Sequence, residues 1–425
     1  MMPTEIKQSA ETAVVVGGGL IGLCTALNLQ ARGIKTLVID PVSVRRAASW
    51  GNAGHIAVEQ VEPLASAATV RSFSRRLYWR GGALSLPLRD IAAWLPFSLR
   101  LLAASRPKRF EAGKAALKDA LSGAMPSWRR LTGMIGAPQL LIEDGHFIVW
   151  ETIESAAAGR ASWARVDTGG ATFRDATAAE LALLTAQMKR PPAGAIRFLG
   201  TGRIADPGDL AEILDAEFAR LGGDQRCASV ESIILSGEKA SIRLDGGETL
   251  TSDAIVIAAG VESGQLLAPL GIKVPIVAER GYHIQSAHSE WPESLPPVVF
   301  EDRSMIVTRF RSGLRAASFV EFAKSASPPD RRKWARLRAH VRALGLPFHM
   351  PGKRWMGARP TLPDYLPAIG RVSRAANLFY AFGHQHLGLT LAPLTGEVIA
   401  ALVAGEAPAI DLAPFDVQRF QGNRG

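Results

Sequence analysis

Residues 13–22, Ala-Val-Val-Val-Gly-Gly-Gly-Leu-Ile-Gly, constrain the fold of this chain more than any other stretch. The four apolar residues are too short a run for a helix and are closed by glycine, so they read as a buried strand. Gly17, Gly19 and Gly22 follow in G-x-G-x-x-G spacing. Gly17 makes the tight turn, Gly19 lets a pyrophosphate approach the backbone, and Gly22 lets the next helix pack closely on the strand. Gly18, Leu20 and Ile21 lie between them, at a helix N-terminus whose amides and dipole favour phosphate. That helix ends at Gly33, residues 36–39 form a second buried strand, and Asp40 stands 18 residues beyond Gly22. This is the place of the acid that hydrogen-bonds a ribose hydroxyl, and an acid there argues against a 2′-phosphate. The unit is a dinucleotide site, but it does not by itself separate FAD from NAD.

A second apolar run, residues 251–260, ends in Ala258-Ala259-Gly260 and reads as a strand returning to the same sheet. Residues 207–221 before it have helical spacing closed by Gly222. Short strands follow around 228–235 and 240–244, with a turn at Asp245-Gly246-Gly247. A helix, a small antiparallel meander and a return strand in that order favour FAD.

The length of 425 residues suggests two or three domains, and 47% apolar with 21% charged residues excludes a mainly disordered chain. Cys24 and Cys227 make no disulfide framework and fit a reducing, cytoplasmic setting. Residues 1–12 lack the plan of a signal peptide, and no run of 18 uncharged apolar residues occurs. The unusual quantity is the net charge of +10. It is local. Residues 63–110 hold nine basic side chains against the single acid Asp90, interleaved with Phe73, Trp79, Leu88, Ile91, Leu95, Leu99 and Leu102, and Pro87 and Pro96 are expected to break any long helix there. Such a mixture fits a membrane interface as well as it fits two core-packed helices with arginines in water, and fits nucleic acid less well. A second basic cluster, 330–342, reads as a solvated amphipathic helix capped by Asp330.

Further motifs stand along the chain: 48–56, Ala-Ser-Trp-Gly-Asn-Ala-Gly-His-Ile; 206–210, Asp-Pro-Gly-Asp-Leu; 278–284, Ala-Glu-Arg-Gly-Tyr-His-Ile; 357–360, Gly-Ala-Arg-Pro, with 363–370, Pro-Asp-Tyr-Leu-Pro-Ala-Ile-Gly; and 379–390, Phe-Tyr-Ala-Phe-Gly-His-Gln-His-Leu-Gly-Leu-Thr. With the N-terminal fingerprint they give the chain a resemblance, over nearly its whole length, to the D-amino-acid oxidase superfamily of FAD-dependent oxidoreductases. It is most similar to the bacterial D-amino-acid and D-hydroxyproline dehydrogenases. The resemblance implies an α/β fold of the glycine oxidase type, with a Rossmann-like FAD-binding domain (1–62, 200–272 and 353–425) interleaved with an α+β substrate domain (63–199 and 273–352).

The resemblance also implies roles for particular residues. Ser49 would lie near the pyrophosphate, and Asn52, Ala53, Gly54 and His55 beside the isoalloxazine. Ala259 and Gly260 would close the return strand against the cofactor, and the Val230 backbone would meet the adenine. Gly383 and His386 to Thr390 (Leu387, Gly388, Leu389) would form a turn into the last helix, its amides facing the ribityl chain and the pyrimidine end. Arg359 would bind the substrate carboxylate, for which a guanidinium fork is suited, and Tyr282 would line the cavity with its hydroxyl available to the same group. His384 and His55 are candidates for substrate contact. No metal is expected, and both cysteines lie away from the C-terminal motifs, which implies non-covalent FAD. The implied reaction oxidises the Cα–N bond of a D-amino acid to an imino acid by hydride transfer to flavin N5. Alternatives are a cis-4-hydroxy-D-proline or D-proline dehydrogenase and an oxygen-using oxidase. A dehydrogenase must hand electrons on, so a membrane quinone is an expected acceptor, with peripheral inner-membrane contact through 63–110 and no nucleic-acid partner.

Overall fold

The computed structural model describes residues 10–42, 47–66, 69, 72–350 and 352–421. Arg45 and Arg46, which could pair with a phosphate, and Arg71 of the basic segment lie outside them. The apolar run at the start is the strand Thr12–Val16, buried from Ala13 onward because it has a parallel neighbour on each side, Lys35–Asp40 and Ala254–Ile257. The six-stranded sheet continues to Asp224–Cys227 at one edge. At the other it runs through Leu378–Phe382 to the antiparallel Ala368–Arg371. Helix Leu20–Ala31 packs beneath it and meets helix Gly388–Val403, where a Cβ on Gly396 would stand 2.6 Å from the Cys24 carbonyl oxygen. The segment Gln385–Val403 is long and apolar enough to cross a membrane, but 78% of its apolar window is buried within the protein, so it is a core helix. The meander appears as Val230–Ser236, Lys239–Leu244 and Thr249–Thr251, preceded by helix Pro207–Arg220.

A larger mixed sheet of nine strands forms the other half. Its order is Lys353–Thr361, Val277–Ser286, Gly313–Ala323, Met305–Phe310, Val298–Phe300, His146–Trp150, Gly194–Leu199 and Thr172–Asp175, with Leu84–Ser85 beside Gly313–Ala323. Lys353–Thr361 is thus an edge strand of this sheet, although the sequence reading places residues from 353 onward with the cofactor-binding part. Residues opposed in register share a face. One row therefore crosses the sheet from Trp355 through His283, Ala317, Ile306 and Val299 to Ile148.

Two expectations for the basic segments change. Pro96 does not end a helix but lies inside Ile91–Ala104, because the backbone acceptor it leaves free, at Ala92, is on the exposed side. In helix Arg331–Leu344, capped by Asp330 as expected and burying Trp334, Leu337 and Val341, Lys333 is not solvated but fully buried against Glu321.

Candidate functional site

A cavity of about 1430 Å³ lies between the two sheets. It exceeds the roughly 300–1,000 Å³ of ordinary small-molecule pockets, so it has room for a dinucleotide and a small substrate together. Gly17, Gly18, Gly19, Ile21, Asp40, Val230, Ala259 and Gly260 line one end, with Leu20 and Gly22 just behind. Gly17 has φ +115°, and a Cβ there would lie 2.4 Å from the Ala258 carbonyl oxygen; at Gly22 it would lie 1.8 Å from that of Gly17. Only glycine fits either place. Helix Leu20–Ala31 begins without a side-chain cap. Ser49 Oγ accepts from Leu20 N–H at 3.1 Å, and Asp40 Oδ2 accepts from Gly18 N–H at 2.7 Å. Glycines, a helix start whose first amide meets only the remote Ser49 hydroxyl, and an acid at the second strand's end thus converge on one point, which suits a pyrophosphate with its ribose.

The turn after Ser49 continues along the cavity with Asn52, Ala53 and His55 on its wall. It is pinned from the large sheet: Arg315 donates to the Asn52 carbonyl, Thr308 Oγ1 to that of Ala53 at 2.8 Å, and His283 Nδ1 to that of Gly51 at 3.0 Å. Gly54, at φ +72°, sits one layer back, where a Cβ would strike Phe310 at 2.4 Å. From the opposite side come His384, His386, Gly388 and Leu389 on the wall. Gly383 (φ +80°), Leu387 and Thr390 lie behind them, with Thr390 Oγ1 accepting from Ala57 N–H at 2.9 Å. Helix Gly388–Val403 also starts without a side-chain cap, and Gly388 and Leu389 at its positive dipole end line the cavity.

Arg359 comes from the edge strand and is 25% exposed, into this space. Its register partner Glu279 is fully buried and takes Nη1 at 2.9 Å, while the Phe319 carbonyl takes Nη2 at 3.0 Å. Glu279 is held in turn by Thr361 Oγ1 and Tyr365 OH at 3.1 and 3.3 Å. Phe319 has φ +75° at a register shift opposite Gly281, a strained conformation that aims its carbonyl at the guanidinium. The guanidinium lies directly over Gly281, where a Cβ would stand 2.1 Å from Nη2.

Tyr282 borders the cavity, but its hydroxyl points elsewhere. It donates to Glu321 Oε1 at 2.8 Å and accepts from Asp330 N–H at 3.1 Å. Burial raises its pKa, so it remains a donor. A carboxylate in the cavity therefore meets the ring of Tyr282 and not the hydroxyl.

His384 and His386 are neutral, because burial pushes His384 down to about 3 and His386 to about 4. His384 Nε2 meets Thr395 Oγ1 at 3.0 Å, and the Nδ1 atoms of His384, His386 and His55 are buried without a hydrogen-bond partner. Such atoms, on the walls where a flavin ring is expected, suit a hydrogen-bonding ligand. Two side chains beside His55, Glu59 and His146, escaped the sequence reading, as did Trp355, which covers Gly51 and stacks on His283 at 5.0 Å.

Against this geometry, the family model described as FAD dependent oxidoreductase matches residues 12–402. The chain belongs to this family. Within the family, a D-amino-acid oxidase from Bradyrhizobium diazoefficiens is 30% identical over 417 residues, covering 96% of this chain and 98% of that protein. A D-amino acid dehydrogenase from Cereibacter sphaeroides is 26% identical, covering 96% and 95%. Among solved structures, glycine oxidase from Geobacillus kaustophilus aligns with a TM-score of 0.69 at 22% identity, over 96% of this chain and 98% of that one. Iminodiacetate oxidase from Chelativorans sp. BNC1 aligns with 0.68 at 20%, over 95% and 98%. The protein is an FAD-dependent oxidoreductase of glycine oxidase-type α/β fold. Its glycine cradle, the two helix starts at the cavity and the unpartnered imidazole nitrogens fit FAD.

Proposed function

We propose that this oxidoreductase removes two electrons from the Cα–N bond of a D-amino acid, with Arg359 holding the α-carboxylate. The observation that carries the proposal is the built guanidinium: Glu279 and the Phe319 carbonyl fix two of its N–H directions, Gly281 gives it a flat bed, and the rest of the fork meets the cavity. A bidentate pair held that way fixes two points of the substrate and so directs Cα–H. FAD supplies the two-electron acceptor. The neutral imidazoles His384 and His386 would offer the cofactor hydrogen bonds without adding charge, and the helix start at Gly388 would stabilise negative charge. The substrate loses a hydride from Cα and a proton from nitrogen, giving an imino acid. Cys24 is buried in its helix, and Cys227 sits beside Asp40 at the far sheet edge, which supports FAD held without a covalent bond. The names of the relatives support the D-configuration. Anaerobic addition of D-alanine, D-methionine and cis-4-hydroxy-D-proline to the yellow protein is expected to bleach its flavin band, with the L-enantiomers inert. Bleaching by L-amino acids alone overturns the reading.

The proposal extends to the acceptor, a membrane quinone, and to a docking face that supports it. Helix Ile91–Ala104 buries Phe97 against Phe322 and Val277 on one side. On the other side Leu88, Ile91, Leu95, Leu99 and Leu102 recur at helical spacing in the open, Leu88 at 81% and Leu99 at 60% exposure, with Trp79 at 69% nearby. Arg75, Arg76, Arg80, Arg100, Arg106, Lys108 and Arg109 belong to the same segment, all exposed. An apolar stripe in a cationic segment matches an anionic bilayer surface. The protein is expected to sediment with phosphatidylglycerol-containing vesicles at low salt, and Leu95→Asp with Leu99→Asp to abolish this. Absence of binding at low salt overturns docking, and peroxide formation as fast as reduction of an artificial acceptor overturns the dehydrogenase reading.

A further inference from the structure

The cavity wall carries a second polar pole. His55 and Glu59 come from the segment after the flavin turn and His146 from a strand of the large sheet, yet their ligating atoms lie within 4.8 Å of one another and all three residues line the cavity. Each is held in place. His55 Nε2 is 3.0 Å from Glu59 Oε1, His146 Nδ1 is 3.0 Å from Thr201 Oγ1, the two imidazole rings meet edge to face at 4.4 Å, and His146 stacks on Phe198 at 4.6 Å. What remains are atoms without partners. Glu59 Oε2 and His55 Nδ1 are buried and have no hydrogen bond. Burial opposes ionisation of Glu59, but the facing His55, whose Nε2 reaches Oε1, brings its pKa to about 2, so the carboxylate is the form present. His146 is neutral, since burial lowers it to about 3. A buried carboxylate oxygen without a donor is unfavourable until something supplies one.

The surroundings indicate what supplies it. Ile148 lies two residues beyond His146 on the same strand face, and Ile148, Val299 and Ile306 form one cavity-lining row running towards Ala317 and the strands that carry Arg359. His386, on the same cavity wall, lies within electrostatic reach of both Arg359 and Glu59. The cavity thus offers a cation, an apolar row and a carboxylate. That is the complement of an amino acid with an α-carboxylate, a methylene stem and a terminal cation.

We propose that His55, Glu59 and His146 form the side-chain subsite of this enzyme and that Glu59 Oε2 accepts from the terminal ammonium or guanidinium of a basic amino acid. The inference rests on the reading that Arg359 takes the α-carboxylate. It is tested by initial rates of the purified holoenzyme with D-lysine, D-ornithine and D-arginine against D-norleucine, a neutral substrate of similar length. The native enzyme is expected to favour the basic substrates by about tenfold or more in kcat/KM, the effect of one buried charge-assisted hydrogen bond. Glu59→Gln, which keeps the shape and removes the charge, is expected to collapse that ratio through KM. Preference of the native enzyme for D-norleucine overturns the subsite, and so does a ratio unchanged in Glu59→Gln. A stoichiometric divalent metal retained by the native protein and lost in the variant also overturns it, since the same acceptors would then be metal ligands. Reduction by neutral D-amino acids without any preference for basic ones removes the subsite and leaves the D-amino-acid reading standing. Failure of every D-amino acid removes both.

Discussion

Arg359→Ala is expected to lower kcat/KM for a D-amino acid by about 10²–10⁴-fold, the loss of two charge-assisted hydrogen bonds at about 1.5–3 kcal/mol each. The effect should appear in both KM and the rate of anaerobic flavin reduction, because the fork binds the substrate and also orients Cα–H. Arg359→Lys keeps the charge but not the planar fork, and the shape of the bed over Gly281 suits only a flat group, so it should recover little. A structural loss is separable from a functional one. Removing the guanidinium leaves Glu279 buried beneath the cavity without its cation, which costs stability as well. Arg359→Ala with Glu279→Gln removes that stranded charge. If the double variant regains thermal stability but remains slow, the rate loss belongs to the substrate. A kcat/KM within threefold of the native value for Arg359→Ala would show that the carboxylate binds elsewhere.

What the sequence made legible follows from how locally each feature is encoded. The first glycine turn and Asp40 could be read because strand, turn, helix and strand are consecutive, and a Cβ at Gly17 or Gly22 meets backbone only a short span away or on the adjoining strand. Arg359 was identifiable from its motif, but Glu279 beneath it was not. That pair exists only through the register of Lys353–Thr361 against Val277–Ser286, where a slip of one residue would turn both side chains away from each other. The Tyr282 hydroxyl was misjudged for a related reason. Its direction depends on Glu321 and Asp330, which are brought in by another strand and by the start of a helix. His55 was a candidate, whereas Glu59 and His146 were not, since no periodicity links them and the approach is made by sheet packing. Pro96 shows the limit of local rules from the other side, because a surface helix can leave one carbonyl to water and continue. The basic excess of residues 63–110 falls on the stretch that also exposes Trp79, Leu88, Leu95 and Leu99.

The largest stability effect is expected at Glu321, which no motif marks. Its carboxylate is buried between Arg280 and Lys333, both fully buried, and also accepts from Tyr282. Asp330 joins the group through Lys333 at 3.2 Å and is itself paired with the exposed Arg332 at 2.9 Å. Glu321→Ala would leave Arg280 without a carboxylate and Lys333 with only Asp330. Breaking a buried pair by removing one partner costs about 3–5 kcal/mol, which for a chain of this length corresponds to a fall in Tm of about 3–6 °C, readable by calorimetry or flavin fluorescence. The network's net contribution is a different quantity from the cost of breaking it, because desolvating Arg280, Glu321 and Lys333 offsets much of their attraction. Arg280→Met with Lys333→Met and Glu321→Leu should therefore recover most of the lost stability. Activity should not recover with it. Tyr282 would lose its acceptor beside Gly281, the bed on which Arg359 lies, so KM is expected to stay raised while Tm returns. A triple variant as unstable as Glu321→Ala would mean that the charges themselves hold this corner of the sheet together.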